Sequence, residues 1–202
     1  MDVRKLTIEE YTNLFAGSDP APGGGGAAGV IAALAAAAGE MVCSLTLGKK
    51  KYESIEPEIK GIALRLNDAR DKLLSLSDKD AEAFEPLSKA YRDPVKNDEE
   101  MDILYENAAG VPLEIMRVTF SILEEIDFLT ENGSRLAVSD AGCAAEFARA
   151  AIASEILNVK INTRHIKNQE LRKEIDDEAD VMYDAAMKKC DMIFSKVMEV
   201  LK

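Results

Sequence analysis

Apolar residues recur every three to four positions along nearly the whole chain, which is the spacing of helices. No stretch alternates apolar and polar residues convincingly in the manner of a strand. Thr7 and Glu10 form a capping-box pattern that predicts a short helix ending near Phe15. The segment 27–47 is rich in alanine and predicts a long helix whose small side chains let a neighbouring helix approach closely.

The remaining segments predict further long helices joined by short connections. Proline inside a helix removes a backbone hydrogen bond, so such prolines are expected to kink or break the helix. The whole chain, residues 1–202, is predicted to be one all-α domain, an up-and-down bundle of about five long helices plus a short N-terminal helix. The expected helices are Ser54 to Arg92 with a kink or break at Pro86, Asn97 to Asn132 with a kink at Pro112, one capped by Ser139 and Asp140 that ends near Thr163, and a last one capped by Asn168.

Composition restricts the classes of function. A hydrophobic content of 47% with only 6 prolines indicates a globular chain rather than a disordered one. The formal net charge of −12 disfavours nucleic acids and anionic membranes as partners, because both require a basic surface. Residues 1–4 lack the pattern of a signal peptide, so a cytoplasmic location is expected. The segment 27–47 is long enough to span a membrane, but Glu40 and its weakly lipophilic alanines favour a buried helix.

Side chains that commonly act as nucleophiles or metal ligands are scarce. Cys43, Cys143 and Cys190 lie far apart in apolar helical stretches and are expected to be reduced thiols of the core. His165 is the sole histidine and is expected at the surface near a helix end. Histidine-based metal sites and histidine-dependent catalytic triads are therefore disfavoured. Any chemistry is expected to rest on carboxylates and amides.

Four consecutive glycines, residues 23–26, follow Pro22 and precede the alanine-rich segment. Ordering such a stretch is entropically unfavourable, so it is expected where the backbone turns or a group approaches closely. The free N–H groups of the following helix N-terminus can hold an anionic or carbonyl group of a ligand. The alternative is structural, because small residues spaced four apart from Gly25 to Ala37 form a ridge for helix packing. A dinucleotide-binding loop is excluded because no predicted strand precedes the glycines.

Three polar side chains share faces with apolar helix residues. Asp80 lies on the face of Leu73 and Leu76, a setting that raises a carboxyl pKa and suits a general acid or base. The commoner alternative is an exposed helix carboxylate. Asn158 and Asn162 are four residues apart on one face. They indicate hydrogen bonding to a heteroaromatic ring or a partner helix, or else an internal polar network.

Local cations are further candidates, because an anionic substrate of this acidic chain requires them. Lys49 to Lys51 and Arg135 are the positions to consider. The alternative for such a run at a helix exit is solvated surface that compensates the helix dipole.

Several short motifs occur in order along nearly the whole chain: Pro22 to Gly25 before the small-residue helix, Leu45 to Tyr52, Asp80 to Phe84, Val111 to Leu113, Asn132 with Ser139 and Asp140, and Asn158 to Asn162. Together they resemble the formiminotetrahydrofolate cyclodeaminase and methenyltetrahydrofolate cyclohydrolase family, including the cyclodeaminase domain of formiminotransferase-cyclodeaminase. One departure is Lys160, at a position where the family usually has an apolar residue.

The resemblance implies an all-helical fold, a homodimer and a folate pocket close to the subunit interface. It makes Asp80 the catalytic aspartate and lets the glycine-rich turn close over the pocket. It implies no metal ligand. The substrate-binding residues that it implies are Gly23, Gly24, Gly25, Lys50, Asn132, Asp140, Asn158 and Asn162.

The implied activity converts 5-formiminotetrahydrofolate to 5,10-methenyltetrahydrofolate and releases ammonia. One carboxyl group with a pKa near neutrality can carry out both proton transfers, and no tightly bound cofactor is expected beside the tetrahydrofolate substrate. The glutamate tail of the folate can bind at Lys49 to Lys51, because local charges dominate within a Debye length of roughly 8–10 Å. Histidine degradation, with a separate formiminotransferase as partner, is the implied context. The alternatives are the cyclohydrolase reaction on the same scaffold and a non-enzymatic helical interaction module.

Overall fold

The computed structural model describes residues 2–92 and 97–202, and helices dominate both parts. No β-strand occurs within these residues, which confirms the predicted all-α bundle. Short 3-10 turns connect several of the helices. The α-helices, numbered in chain order, are α1 (Ile8–Phe15), α2 (Gly24–Thr46), α3 (Glu56–Arg92), α4 (Asp98–Ser121), α5 (Leu123–Asn132), α6 (Val138–Thr163) and α7 (Gln169–Val200).

The alanine-rich helices α2 and α6 form the centre of the bundle. Helix α2 packs against α3 and α6, and α6 also contacts α4, α5 and α7. Ala32 and Ala36 of α2 are fully buried, as are Ala144 and Ala148 of α6. Because these side chains are small, the two helix axes can approach closely, and larger apolar residues of the surrounding helices complete the core.

Helix α2 also has the length and composition of a membrane span, with a mean hydropathy of 1.8 over its most apolar window. Half of that window is nevertheless buried inside the bundle. Glu40 of α2 pairs with Arg70 of α3, whose Nη1 donates to Oε2 over 3.2 Å. These contacts support the buried core helix that the sequence favours.

The predicted caps are confirmed at three helices and wrong at one. Thr7 and Asn97 each form a complete capping box at the start of α1 and α4. The side chain of Asn168 accepts two backbone N–H groups at the start of α7. Helix α6, however, begins at Val138, so Ser139 and Asp140 lie in its first turn and do not cap it. The reason is local, because the 3-10 turn Arg135–Ala137 runs directly into α6.

Neither Pro86 nor Pro112 breaks its helix. Helix α3 continues through Pro86 to Arg92, and α4 continues through Pro112 to Ser121. The division between α4 and α5 falls at Ile122 instead. Proline removes one backbone hydrogen bond, but buried residues just beyond each proline hold the following turns against the core. These residues are Leu87 and Ala90 in α3, and Leu113, Ile115 and Met116 in α4.

Two other expectations need correction. The glycine-rich stretch is only partly a turn, because Gly24 to Gly26 already form the first turn of α2 and Gly23 is its N-cap. Cys43 and Cys190 are buried as expected, but Cys143 is exposed. Cys143 lies on the outer side of α6, one helical turn before the exposed Phe147.

Candidate functional site

A cleft of about 340 Å³ opens at the end of the bundle where α2 begins. Its volume lies within the range of small-molecule sites, roughly 300 to 1,000 Å³. The cleft is bounded by the segment before α2 and by α3, α4 and α6. Six of the residues that the sequence analysis selected line it together: Gly23, Gly24, Gly25, Asp80, Asn158 and Asn162.

Asp80 joins α3 to the first turn of α2. The backbone N–H of Gly26 donates to Asp80 Oδ2 over 2.8 Å, and one turn earlier Ser77 Oγ donates to the carbonyl of Gly26 over 2.6 Å. A Cβ atom at Gly25 would lie 2.6 Å from Asp80 Oδ1, so only glycine fits there without displacing the carboxyl group. Burial raises the pKa of Asp80 above its ordinary value, and the Gly26 hydrogen bond opposes that rise. The result is a half-buried carboxyl group with a fixed orientation.

The first turn of α2 presents backbone donors to the same cleft. Gly24 and Gly25 line it, and their N–H groups have no partner within the helix because they belong to its first turn. Gly23 provides no side-chain cap. The positive end of the helix dipole and two free donors are therefore available to an oxygen or anion of a ligand.

Asn158 and Asn162 supply acceptors opposite these donors. Asn158 Nδ2 donates to the carbonyl of Ser154 and to Glu155 Oε2, each over 3.1 Å. Asn162 Nδ2 donates to the carbonyls of Ala108, over 3.2 Å, and of Asn158, over 2.9 Å. The internal polar network that was one alternative is therefore present, and both side chains also line the cleft.

Glu155 is a residue of this site that the sequence analysis missed. Its side chain is fully buried one turn before Asn158, and its Oε1 has no hydrogen-bond partner in the described part of the chain. Burial, together with the negative charge of Asp80, raises the pKa of Glu155 to about 9. A sequence signal existed, since Glu155 lies three residues after Ile152 and four before Val159, both of which are buried.

Aromatic and cationic side chains form the rim of the cleft. Phe84 and Tyr91 come from α3, and Arg164 and His165 follow the end of α6. The His165 ring stacks on Tyr105, with 5.2 Å between centroids, and its Nε2 accepts from Arg164 Nε over 2.9 Å. Slight burial and the nearby Arg164 and Lys167 lower the pKa of His165, which favours a neutral ring. His165 is exposed, as expected, and serves as a wall of the cleft.

Lys50, Asn132 and Asp140, which were also predicted for the site, lie at the opposite end of the bundle. Lys50 follows the C-terminus of α2, and a helix of 23 residues separates the two ends by about 33 Å. Asn132 ends α5, where its Nδ2 donates to the carbonyl of Phe128 over 3.1 Å. Asp140 lies in the first turn of α6. Within one chain these three residues do not line the cleft.

The same distant end contains the cationic group considered from the sequence. Lys49 Nζ donates to Ser134 Oγ over 3.3 Å, and the N–H of Arg135 donates to the hydroxyl of Tyr52 over 3.4 Å. We call this region, residues 49–52 with 132–135 and Asp140, the lysine end, and the opposite region the cleft end.

Lys160, the departure from the family pattern, faces away from the cleft. Its Nζ bonds Asp180 Oδ2 over 2.8 Å and lies 3.2 Å from Asp176 Oδ1, both on α7. The charge therefore links α6 to α7, and the two asparagines keep their places in the cleft.

Several known proteins resemble this chain in sequence or in fold. A methenyltetrahydrofolate cyclohydrolase of Methylorubrum extorquens is 35% identical over 175 residues, covering 83% of this chain and 84% of that protein. The chicken formimidoyltransferase-cyclodeaminase is 27% identical over 171 residues, and the match spans 81% of this chain but only 32% of that longer protein. A crystal structure of formiminotetrahydrofolate cyclodeaminase from Thermotoga maritima superimposes with a TM-score of 0.88 at 33% identity, covering 98% of this chain and 97% of that one.

The family model described as formiminotransferase-cyclodeaminase matches residues 7–181. That range includes Asp80, the glycines of α2, Asn158 and Asn162, and also the residues of the lysine end. The chain therefore belongs to the formiminotransferase-cyclodeaminase family, whose enzymes act in folate one-carbon metabolism.

Proposed function

We propose that this chain converts 5-formiminotetrahydrofolate to 5,10-methenyltetrahydrofolate and ammonia. The observation that carries the proposal is the setting of Asp80, a half-buried carboxyl group with a raised pKa on the wall of a ligand-sized cleft. The family membership and the Thermotoga relative, which is named a cyclodeaminase, support the same reaction.

Asp80 can serve both proton transfers of this reaction. N10 of the substrate attacks the carbon of the protonated formimino group, and the carboxylate accepts the proton that N10 then carries. The resulting carboxylic acid returns that proton to the amino group, which leaves as ammonia while the double bond to N10 forms. The proton is conserved, and the product carries the positive charge of the methenyl bridge, which the carboxylate stabilises. This chemistry uses no metal or tightly bound cofactor.

The cleft also offers groups suited to the pterin ring. Phe84 and Tyr91 provide aromatic surface at the rim, while the α2 glycines provide donors and the two asparagines provide acceptors. An adjoining groove of about 390 Å³ runs along α3 past Lys89 and Arg92. Arg164 and Arg92 supply cations for the p-aminobenzoyl-glutamate part within one chain, whereas Lys89 is paired with Glu85 over 2.7 Å.

Methenyltetrahydrofolate cyclohydrolase activity is the second candidate. The Methylorubrum relative that carries this name is 35% identical to the chain and is covered over 84% of its length. The same Asp80 carboxylate can accept a proton from a water molecule that attacks the methenyl carbon and can return it to the folate nitrogen whose bond to that carbon then breaks. The two reactions therefore differ in substrate more than in catalytic group.

One pair of assays separates the candidates. With 5-formiminotetrahydrofolate, a cyclodeaminase releases ammonia in step with the rising absorbance of the methenyl product. With methenyltetrahydrofolate, a cyclohydrolase removes that absorbance faster than buffer does. Ammonia release that exceeds the hydrolysis rate by tenfold or more supports the first proposal, and the reverse ratio supports the second. Activity in neither assay contradicts both.

We further propose that the chain forms a homodimer through α2 and α6. These two helices pack together, and each carries exposed apolar residues along its length: Leu34, Met41 and Leu45 on α2, and Phe147, Leu157 and Ile161 on α6. This apolar face, defined by these six residues, reaches from Ile161 at the cleft to Leu45 near the lysine end. An antiparallel second copy would place the lysine end of one chain beside the cleft end of the other.

Leucine-to-glutamate variants test the dimer. Leu157 on the apolar face and Leu64 on α3 are both 68% exposed, so they form a matched pair. Leu157→Glu is expected to convert the dimer to monomer in sedimentation at micromolar concentration, whereas Leu64→Glu is expected to leave it intact. A wild-type chain that sediments as a monomer would contradict the proposal directly.

We place the proposed reaction in the cytoplasm and in histidine degradation, as the family resemblance suggests. The chicken relative joins two names, formimidoyltransferase and cyclodeaminase, and this chain spans 32% of it. As the resemblance suggests, a separate formiminotransferase is the proposed supplier of the substrate.

A further inference from the structure

Glu155 is a buried carboxyl group that the proposed proton transfers do not use. It is fully buried in α6, beneath the cleft wall that Asn158 and Asp80 form, and it is not itself exposed to the cleft. One of its oxygens accepts from Asn158 Nδ2 and the other has no partner among the described residues. A buried polar group that is only partly satisfied calls for a physical explanation.

The partnered oxygen of Glu155 sets the orientation of the Asn158 amide. Carbonyl oxygens can only accept hydrogen bonds, so the carbonyl of Ser154 identifies the nitrogen side of that amide. Glu155 Oε2 engages the same NH₂ group, so both of its hydrogens are directed into the protein. Asn158 Oδ1 is then the amide atom nearer to the first turn of α2, because a Cβ atom at Gly24 would lie 3.5 Å from Oδ1 and 3.8 Å from Nδ2.

Asn162 has the same arrangement one turn further along. Its NH₂ group donates to two backbone carbonyls, those of Ala108 and Asn158. Neither Asn158 Oδ1 nor Asn162 Oδ1 accepts a hydrogen bond from the residues that the structure describes. The two side chains therefore offer a pair of acceptors to the cleft and no donor.

Glu155 can perform this role without adding charge to the site. With a pKa raised to about 9 by its burial and by the charge of Asp80, Glu155 holds its proton at physiological pH. Its carbonyl oxygen accepts from Asn158 and its proton resides on the other oxygen. An ionised Glu155 would instead place a second negative charge in a buried site beside Asp80.

We propose that Glu155 is a positioning residue that fixes the amide of Asn158. Asn158 and Asn162 then both direct oxygens at the substrate, and the edge of the substrate that contacts these oxygens consists of N–H donors. The proposal rests on the folate function proposed above. In a reduced pterin, the 2-amino group and the ring N–H groups at N3 and N8 form such a donor set.

The positioning role is tested first in the ligand-free protein. Side-chain amide signals of Asn158 and Asn162 are assigned by NMR with Asn158→Ala and Asn162→Ala. Glu155→Leu, which cannot accept a hydrogen bond, is expected to shift the Asn158 NH₂ signals, and Glu155→Gln, which can, is expected to keep them near their wild-type positions. Glu146→Leu, on the same helix but paired with Arg149, is the control. Unchanged Asn158 signals in Glu155→Leu would overturn the positioning role.

Binding of 5-formyltetrahydrofolate provides the second measurement. Glu155→Leu is expected to weaken it roughly tenfold or more, because the acceptor of Asn158 is no longer held in place, while Glu155→Gln is expected to remain within about threefold of wild type. If Glu155→Gln keeps the amide signals but loses turnover by about a hundredfold, Glu155 is a proton donor and the proposal fails.

Analogues test the donor edge. Replacing the 2-amino group by methyl, or N8 by carbon, removes one donor each, and at least one of these changes is expected to weaken binding to wild type roughly tenfold but not to Asn158→Ala. Equal binding of both analogues to wild type would overturn the donor-edge assignment. If wild type binds no folate while the amide signals still depend on Glu155, the folate function fails and the positioning role stands.

Discussion

The two ends of the bundle place their polar and charged side chains in different surroundings. At the cleft end, Asp80 is half-buried and held by a backbone N–H, and Glu155 and Asn162 are buried. At the lysine end, Lys49, Lys50 and Lys51 are exposed. Burial changes the pKa of a group and fixes its orientation, whereas an exposed cation acts mainly by attraction at short range. The cleft end therefore holds oriented carboxyl groups with raised pKa values, and the lysine end holds exposed cations.

The largest expected effect tests whether the chemistry depends on Asp80. Asp80→Asn keeps the size of the side chain but removes the titratable group, so turnover is expected to fall roughly 10² to 10⁴-fold while binding of 5-formyltetrahydrofolate survives. Because burial raises the pKa of Asp80, the wild-type rate should fall as the pH drops through that pKa, and the residual rate of Asp80→Asn should lack this acid limb. Steady-state rates measured across pH decide both points.

The control for Asp80→Asn is Asp68→Asn. Asp68 is exposed on the same helix, three turns earlier, and its substitution is expected to leave turnover unchanged. Asp78 is unsuitable as a control, because it is half-buried and accepts the N–H of Val3 over 3.1 Å. Wild-type turnover in Asp80→Asn would remove Asp80 from the mechanism.

The next largest effect separates two neighbouring glycines of the cleft end. In Gly25→Ala the added methyl group would lie 2.6 Å from Asp80 Oδ1, so the carboxyl group must move and turnover is expected to fall roughly 10- to 100-fold. In Gly24→Ala the methyl group would lie 3.5 Å from Asn158 Oδ1, an ordinary contact, so a smaller effect that falls mainly on KM is expected.

Melting temperatures decide whether these glycines act through the ligand or through packing. Alanine within a helix is more favourable than glycine by roughly 0.5–1 kcal/mol, so Gly24→Ala is expected to melt no lower than wild type. Equal losses of stability and activity in both variants would instead indicate a packing role for the glycine-rich turn.

The sequence predicted the local features of the fold better than the positions at which helices begin, end or are interrupted. The capping boxes at Thr7 and Asn97 depend on residues three apart, so they were readable directly. The effect of Pro86 and Pro112 depends on whether the turns beyond them are buried, which is a tertiary property. Sequence reasoning also placed a cap at Ser139, because it could not foresee the 3-10 turn that leads into α6.

Individual residues of the candidate site were predictable from the sequence, but which of them the fold brings together was not. Asp80 and the pair Asn158 and Asn162 were selected by their positions on helix faces, and the structure brings them together. The resemblance added Lys50, which the fold places about 33 Å away at the other end of α2. A motif list contains no information about the direction of each helix, so it cannot separate the two ends. Glu155 was overlooked because a glutamate among 37 acidic residues is usually exposed.

A moderate effect tests whether the lysine end contributes to the same site in a dimer. If the proposed antiparallel copy brings Lys50 beside the cleft, Lys50→Ala is expected to raise KM for a polyglutamylated substrate roughly 3- to 10-fold without changing kcat. The effect should diminish at high salt, because the contact is exposed. In the background of Leu157→Glu, which is expected to be monomeric, Lys50→Ala should add nothing further. An unchanged KM in the dimer would confine the site to the cleft end.

The last effect concerns the stability of the cleft end and its dependence on pH. The pKa of Glu155 is about 9 in the folded chain against an ordinary value of 4.5, so between these values only the unfolded chain releases this proton. The unfolded state is then favoured progressively as pH rises, and the free energy of unfolding falls by at most about 1.4 kcal/mol per pH unit from this group. Below pH 4.5 none of this stability is lost, and above pH 9 the loss is complete.

Urea unfolding of wild type, Glu155→Gln and Glu155→Leu at pH 6, 7 and 8 measures this contribution. Both variants lack the titrating group, so each is expected to gain stability relative to wild type as the pH rises, whatever its stability at pH 6. The comparison isolates titration from hydrogen bonding, because glutamine keeps an acceptor for Asn158 and leucine does not. If all three proteins show the same slope with pH, Glu155 is ionised in the folded chain, and the buried cleft end holds two negative charges where we infer one.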